Sequence, residues 1–239
     1  MITKKDRICF LGDSITFGVG TTRRYFDIIS DLTGAETHGY GIDGAQSDML
    51  FNELKSLEAD VGDNFDILCV LIGTNDFNGG VSLGEFFTER TETVVISTDE
   101  SGAPNAYASR KKREFVFDDE TFCGRLNKFF AYVTERYADK RLVILTPLHR
   151  AYAYFGLANV QQNELYANSI GEYFEKYVET VRRAADVWSI ELIDLYRESG
   201  LFPLADKNAA LYFHDDKTDR LHPNKNGHER IARAILRRL

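Results

Sequence analysis

Apolar residues in this chain fall into short continuous runs and spaced stripes, and the two kinds alternate. Residues 7–11 form a short apolar run bounded by Gly12, the pattern of a buried strand. Helical spacing follows over 25–32, and a weaker strand signal over 35–40. Asp48 is placed to cap a helix that buries Leu50, Phe51, Leu54 and Leu57. Residues 66–72 carry the clearest strand signal: they are apolar from Ile67 to Ile72, as suits a parallel strand covered on both faces. Phe122, Leu126, Phe129, Phe130, Val133 and Tyr137 make one helical stripe, and residues 142–145 a strand stopped by Pro147. Tyr166, Ile170, Tyr173, Phe174, Tyr177, Val178 and Val181 make a second stripe. A last strand is expected over 190–195. The final helix should bury Ile231, Ile235, Leu236 and Leu239, with Arg233, Arg237 and Arg238 near its C-terminal end, where cations suit the helix dipole.

Five strands alternating with helices predict an α/β fold, a three-layer α/β/α sandwich around a mainly parallel five-stranded sheet. Ligands of such sheets bind outside the carboxyl ends of the strands, so the loops after Leu11, Tyr40, Ile72, Leu145 and Leu195 matter most. One segment breaks the alternation. Residues 93–97 and 114–117 are β-prone and flank a polar stretch with Gly102 and Pro104, which predicts an inserted β-hairpin at about 90–118 within one domain spanning 1–239. The run Arg110-Lys111-Lys112-Arg113 inside it reads first as a solvated strand face, and second as a rim meeting an anionic substrate or a second subunit. A homodimer through this hairpin is therefore an expectation.

Composition narrows the partners. The 239 residues carry a net charge of −8, which argues against nucleic acid or an anionic membrane as the main partner. No stretch approaches the roughly 20 apolar residues of a membrane span. The apolar run at 8–11 is too short for a signal-peptide core, so a cytoplasmic location is expected. Cys9, Cys69 and Cys123 are unclustered and odd in number, neither a disulfide framework nor a metal site, and read as core residues.

Candidate chemistry sits on the loops the sheet rule selects, apart from Asp219 and His222, which follow the last expected strand after a longer loop. Gly12-Asp13-Ser14 follows the first strand and presents a serine, which needs an adjacent base to act as a nucleophile. Alone, the tripeptide is equally a strand-to-loop turn. Of five histidines only His222 has an aspartate three residues before it, Asp219, a spacing that lets a carboxylate fix the ring tautomer. Pro223 follows, and Asn224 can cap the final helix. Acyl transfer also needs fixed N–H donors for the developing oxyanion. The loop Tyr40-Gly41-Ile42-Asp43-Gly44 and the Asn75 amide in Gly73-Thr74-Asn75-Asp76 can supply them, although each loop alone reads as a plain turn. His214, followed by Asp215 and Asp216, is the rival base. Asp13, His149 and Arg150 are candidate substrate contacts, with Tyr152, Tyr154 and Phe155 as an aromatic wall; Asp76 reads as a brace for its own loop.

Taken together, these blocks resemble the SGNH/GDSL hydrolase superfamily from near residue 7 to the C-terminus. The opening block matches Gly12-Asp13-Ser14, extended by Ile15-Thr16-Phe17-Gly18; the second ends on Gly44; the third is Gly73-Thr74-Asn75-Asp76; the last is Asp219-Arg220-Leu221-His222-Pro223. The resemblance implies a flavodoxin-like sandwich, no metal and no organic cofactor. It implies Ser14, His222 and Asp219 as the triad and Ser14, Gly44 and Asn75 as the oxyanion hole. Two departures stand out: Tyr40 replaces the Asn that many members carry in the second block, and many short members lack the hairpin. The expected substrate is a small-molecule ester, a short acyl group such as acetyl on a polar or carbohydrate alcohol. An acyltransferase, a lysophospholipase or thioesterase, and a non-catalytic binding module are the alternatives.

Overall fold

The run at 7–11 folds as β1 (Arg7–Gly12), whose apolar side chains from Ile8 to Leu11 are fully buried. The computed structural model describes residues 2–239. After β1 come α1 (Ser14–Phe17), α2 (Tyr25–Thr33), β2 (Glu36–Gly39), α3 (Leu50–Val61), β3 (Ile67–Leu71) and α4 (Thr74–Asn78). The hairpin strands β4 (Phe87–Thr98) and β5 (Pro104–Phe115) precede α5 (Phe122–Arg136) and β6 (Arg141–Leu145). Then follow β7 (Ala153–Tyr154), β8 (Val160–Gln161), α6 (Phe174–Trp188), β9 (Glu191–Ile193), α7 (Leu195–Glu198), α8 (Asp206–Tyr212), β10 (Phe213–Asp215), β11 (Asp219–Pro223) and α9 (Lys225–Leu236).

The main sheet runs in the order β2-β1-β3-β6-β9, every pairing parallel. Because side chains alternate across a strand, each strand feeds two cores. Cys9, Leu11, Leu68 and Val70 pack with Leu54 of α3, Phe129 of α5 and Val178 of α6. Ile8, Phe10, Cys69 and Leu71 pack on the other face with Phe26 of α2 and Ile231 of α9. This is the α/β/α sandwich expected from the strand–helix alternation. All three cysteines are free and buried. Burial pushes the Cys9 and Cys123 thiols up to about 12 and the Cys69 thiol higher still, so none is a ready nucleophile.

Several expectations are corrected. The second aromatic stripe is helical only from Phe174: Tyr166, Ile170 and Tyr173 are exposed on the preceding loop. Asn168 closes that loop, its Oδ1 accepting from the Ile170 and Glu172 N–H groups, and Gly171 adopts φ +86°. Asp48 does not cap α3; it lies in a 3₁₀ turn, Ser47–Met49, that leads into the helix, and Phe51 is only half-buried. The last sheet strand ends at Ile193, because Asp194 caps α7 by accepting from the Arg197 N–H. A second, antiparallel sheet, β10-β11-β7-β8, was not anticipated.

The inserted hairpin is longer than its β-prone patches. β4 and β5 pair from Phe87↔Phe115 to Thr98↔Pro104 and are exposed along most of their length. Its base is anchored where Phe115 stacks on Trp188, with ring centroids 4.7 Å apart. Within the basic run, Lys112 and Arg113 face Glu92 and Glu89 across the ribbon at 3.4 and 3.2 Å. Such exposed pairs add little stability, and the run is a solvated strand face.

Candidate active site

Three loops and one strand meet at the carboxyl edge of the sheet. The first leaves β1 at Gly12, where a Cβ would collide with the Leu71 carbonyl oxygen and the Thr16 side chain. Asp13 caps α1, its Oδ1 accepting from the Ile15 N–H at 3.0 Å, and Ser14 opens the helix. A helix's first N–H groups have no intrahelical acceptor, so the Ser14 N–H is free to serve a ligand.

The second contribution comes from β11, which pairs with β10 and β7. This strand carries Asp219 and His222. The Ser14 Oγ lies 2.9 Å from His222 Nε2, and His222 Nδ1 lies 3.0 Å from Asp219 Oδ2. Asp219 Oδ1 accepts from the backbone N–H groups of Leu221 and His222 at 3.2 and 3.1 Å, so both carboxylate oxygens are committed. Ser14, Asp219 and His222 are each only 5–6 % exposed. The chain turns back at Asn224, whose side chain accepts from the Asn226 and Gly227 N–H groups and starts α9, as expected.

The third contribution is a pair of loops tied to each other. After β2 the chain stays against β1: the Tyr40 N–H donates to the Phe10 carbonyl and the Ile42 N–H to the Gly12 carbonyl, at 2.8 and 2.9 Å. The Tyr40 ring stacks on His38 and its hydroxyl donates to Asp60 of α3 at 2.8 Å. The unusual residue is thus absorbed by the helix side of the loop. Gly44 adopts φ +76°, and no atom lies within 4 Å of where a Cβ would stand. Backbone conformation rather than crowding selects glycine there. Asn75, on α4, donates one amide hydrogen to the Ala45 carbonyl at 3.0 Å, leaving the other for a ligand. Asp76 ties the two loops, accepting from the Ser47 hydroxyl at 2.6 Å and the Ser47 N–H at 3.1 Å.

These groups line a cleft of about 250 Å³ that brings together Ser14, Gly44, Asn75 and His222, with Phe155 and Leu221 as apolar wall. Phe155 sits 5.3 Å from the His222 ring, centroid to centroid. Larger clefts of about 270, 370 and 440 Å³ exist; Ser169 lines the first, but none is lined by a cysteine or by a histidine that could serve as a base. Among the described residues no cluster of three or more His, Cys, Asp or Glu could hold a metal ion, and no helix is long and apolar enough to cross a membrane.

Not every expected contact reaches the cleft. Asp13 is 1 % exposed and engaged with its own helix, so it braces the turn instead of facing a substrate. His149 is drawn away by Glu164, 2.6 Å from its Nδ1, and lies against the Tyr196 ring. Arg150 is buried beside an adjoining cleft, not the one at Ser14. His214 is exposed and bonds the Gly20 carbonyl at 3.2 Å. Of the aromatic wall, Phe155 lines the cleft at Ser14. Val19, Asp43, Asn159 and Gln161 also line it and were missed. Asn159 and Gln161 belong to the turn and second strand of the β7–β8 ribbon, whose two-residue strands leave no periodic signal.

Below the cleft, three carboxyl groups are buried. Burial pushes Asp13 and Asp76 up to about 6, although each accepts hydrogen bonds that pull the other way. Burial pushes Glu53 up to about 9; its Oε2 accepts from the Gly12 N–H at 2.5 Å and its Oε1 has no partner.

The profile of the GDSL-like lipase/acylhydrolase family matches residues 10–230. Among solved structures, a protein from Lactobacillus plantarum is 21 % identical, with a TM-score of 0.74, 99 % of this chain and 97 % of that chain covered. A member of the lipolytic protein G-D-S-L family from Veillonella parvula is 15 % identical, with a TM-score of 0.59 and coverage of 98 % and 97 %. The lipase/acylhydrolase from Enterococcus faecalis is 16 % identical, with a TM-score of 0.54 and coverage of 97 % and 94 %. At these identities the likeness is one of fold. No curated protein matches the chain significantly.

Proposed function

The chain belongs to the GDSL-like lipase/acylhydrolase family, and from that membership we propose that it is a serine ester hydrolase acting through an acyl-enzyme on Ser14. The observation that carries the reading is the relay from Ser14 Oγ to His222 Nε2 at 2.9 Å and from His222 Nδ1 to Asp219 Oδ2 at 3.0 Å, assembled from residues 208 positions apart.

His222 Nε2 takes the Ser14 proton as Oγ attacks the ester carbonyl carbon. Asp219 holds the ring in the tautomer that leaves Nε2 free to accept, and it stabilises the imidazolium formed by the transfer. The carbonyl oxygen, now negative, receives hydrogen bonds from the Ser14 and Gly44 N–H groups and from the free amide hydrogen of Asn75. Collapse breaks the bond to the alcohol oxygen, which leaves with the proton from His222. Water then enters, gives a proton to His222, and releases the carboxylic acid while Ser14 regains its hydrogen.

The cleft favours a short acyl group. Its volume of about 250 Å³ is below the usual range for drug-sized ligands, and Asp43, Asn159 and Gln161 make part of its lining polar. An acetyl ester of a polar or carbohydrate alcohol fits this chemistry. Steady-state hydrolysis of an acetyl-to-palmitoyl ester panel, with Ser14→Ala as control, tests both parts. Turnover that is highest on acetyl and absent in the variant is expected. Activity rising with chain length contradicts the short-acyl reading, and wild-type turnover in Ser14→Ala contradicts the nucleophile.

A further inference from the structure

A second cleft, of about 270 Å³, adjoins the one at Ser14, and Asn159 and Gln161 line both. Arg150 lies at its side, 1 % exposed. The guanidinium is held by neutral oxygens: Asn78 Oδ1, Gln161 Oε1 at 3.0 Å and the Gln162 carbonyl at 3.2 Å. Its Nε–H is buried without a partner. It also lies over the Phe77 ring, 5.1 Å from the centroid.

What the group lacks is a carboxylate in direct contact, although the charge of Glu164 acts on it from farther off. Among the described residues no carboxylate comes within 4 Å of the guanidinium, whereas most other arginines here have one. Glu164, the acidic group that faces it, spends its oxygens on the Arg150 backbone N–H, on His149 and on the Tyr196 hydroxyl. A buried cation with no anion in contact and one N–H unpaired is costly, and an anionic ligand in the adjoining cleft would offset that cost. Burial pulls this guanidinium down only to about 10, so it stays charged at neutral pH. Packing against Phe77 and bracing the β7–β8 ribbon account for its position but not for its missing partner.

We propose that the cleft beside Arg150 is a second subsite, which receives an anionic oxygen group, carboxylate or phosphate, on the alcohol half of the ester whose carbonyl lies at Ser14. The inference rests on the ester-hydrolase reading and narrows its substrate to esters of acidic alcohols. Electrostatics orients such a substrate within the joined clefts. Asp43, exposed beside Gly44, repels an anion at the Ser14 end, and Arg150 attracts it at the other. Asn78 and Gln161 line the same cleft and hold Arg150 through their side-chain oxygens, and Gln161 is the group an incoming anion displaces from Arg150.

The experiment uses matched acetyl esters that differ only in the far end of the alcohol: a carboxylate, a phosphate, and the neutral carboxamide. In the wild type, KM for one or both anionic esters should be at least tenfold below that for the carboxamide. Arg150→Gln should reduce the anionic-to-neutral preference to within twofold, and Arg150→Lys, which keeps the charge, should retain part of it. If Arg150→Gln does not fold, inhibition of the wild type by the deacetylated hydroxy acid, tenfold stronger than by its amide, supports the subsite in its place. The ratio between the carboxylate and phosphate esters identifies the preferred anion. Equal KM values across the series, with the carboxamide ester still hydrolysed, overturn the subsite and leave the Ser14 reading intact. An anionic preference that survives in Arg150→Gln overturns the assignment to Arg150. Absence of turnover on every ester, together with absence of fluorophosphonate labelling at Ser14, overturns the underlying reading and the subsite with it.

Discussion

The cleft that holds Ser14 and the buried layer that braces it use the same residue types for different ends. In the cleft, Asp219 faces His222 and His222 faces Ser14, so the carboxylate acts through a ring that reaches an open space. In the layer behind, Asp13, Glu53 and Asp76 each hold a backbone N–H of a loop that builds the cleft: Ile15, Gly12 and Ser47. The difference teaches that a carboxyl group at the sheet edge is not assigned by type or by nearness to the motif. Asp13 is the neighbour of Ser14 in sequence, yet it belongs to the bracing layer. Asp219 is the distant one, yet its oxygen reaches the ring.

Substitutions in the two layers should therefore separate turnover from stability. The largest effect is expected from Ser14→Ala, which should lower kcat by about 10⁶-fold in steady-state ester hydrolysis while leaving the melting temperature nearly unchanged. Asp219→Asn preserves the shape but favours the wrong ring tautomer, and should lower kcat by about 10⁴-fold. Asn75→Ala removes one oxyanion donor and should lower kcat by about 10²–10³-fold; an unchanged kcat would remove Asn75 from that role. In the bracing layer, Asp76→Ala deprives buried Ser47 groups of their acceptor and should destabilise the fold by about 1–3 kcal/mol in denaturant unfolding.

The smallest effect on turnover is expected from Glu53→Gln, and its signature is a pH dependence of stability. Burial raises the Glu53 carboxyl from 4.5 to about 9 in the folded chain, so the folded state favours the protonated form. That contribution is complete below pH 4.5 and is lost as pH rises towards 9. The glutamine variant cannot ionise and still accepts from the Gly12 N–H. Its melting temperature relative to wild type should rise steadily between pH 5 and pH 9. A constant difference across that range, or a kcat loss as large as that of Asn75→Ala, would erase the distinction between the two layers.

Much of the body was legible in the sequence because buried parallel strands leave an unmistakable trace. The runs around Ile8 and Ile67 are apolar on both faces, and α5 and α9 keep their 3.6-residue stripes. Ser14, Gly44 and Asn75 were legible for a related reason: each follows a strand end that the pattern locates, whereas Asp219 and His222 lie on β11 and were legible only through their own spacing. What stayed hidden depends on tertiary contact. The β7 and β8 strands have two residues each and no periodicity, so the wall formed by Asn159 and Gln161 left no signal. The false start of α6 at Tyr166 arose because aromatic residues fell at helical spacing across a loop that Asn168 and Gly171 close. Glu53 bears no mark in the sequence that sets it apart from other polar positions of α3, since only the fold sets it against the Gly12 N–H.

Covalent labelling tests most directly whether Ser14 is an activated nucleophile. The wild-type protein, treated with a fluorophosphonate at neutral pH and digested, should carry a single phosphonyl group on the peptide that contains Ser14, and His222→Ala should stay unlabelled under the same conditions. Label on another residue, no label on the folded wild type, or equal labelling of Ser14 in His222→Ala would contradict the relay on which the account rests.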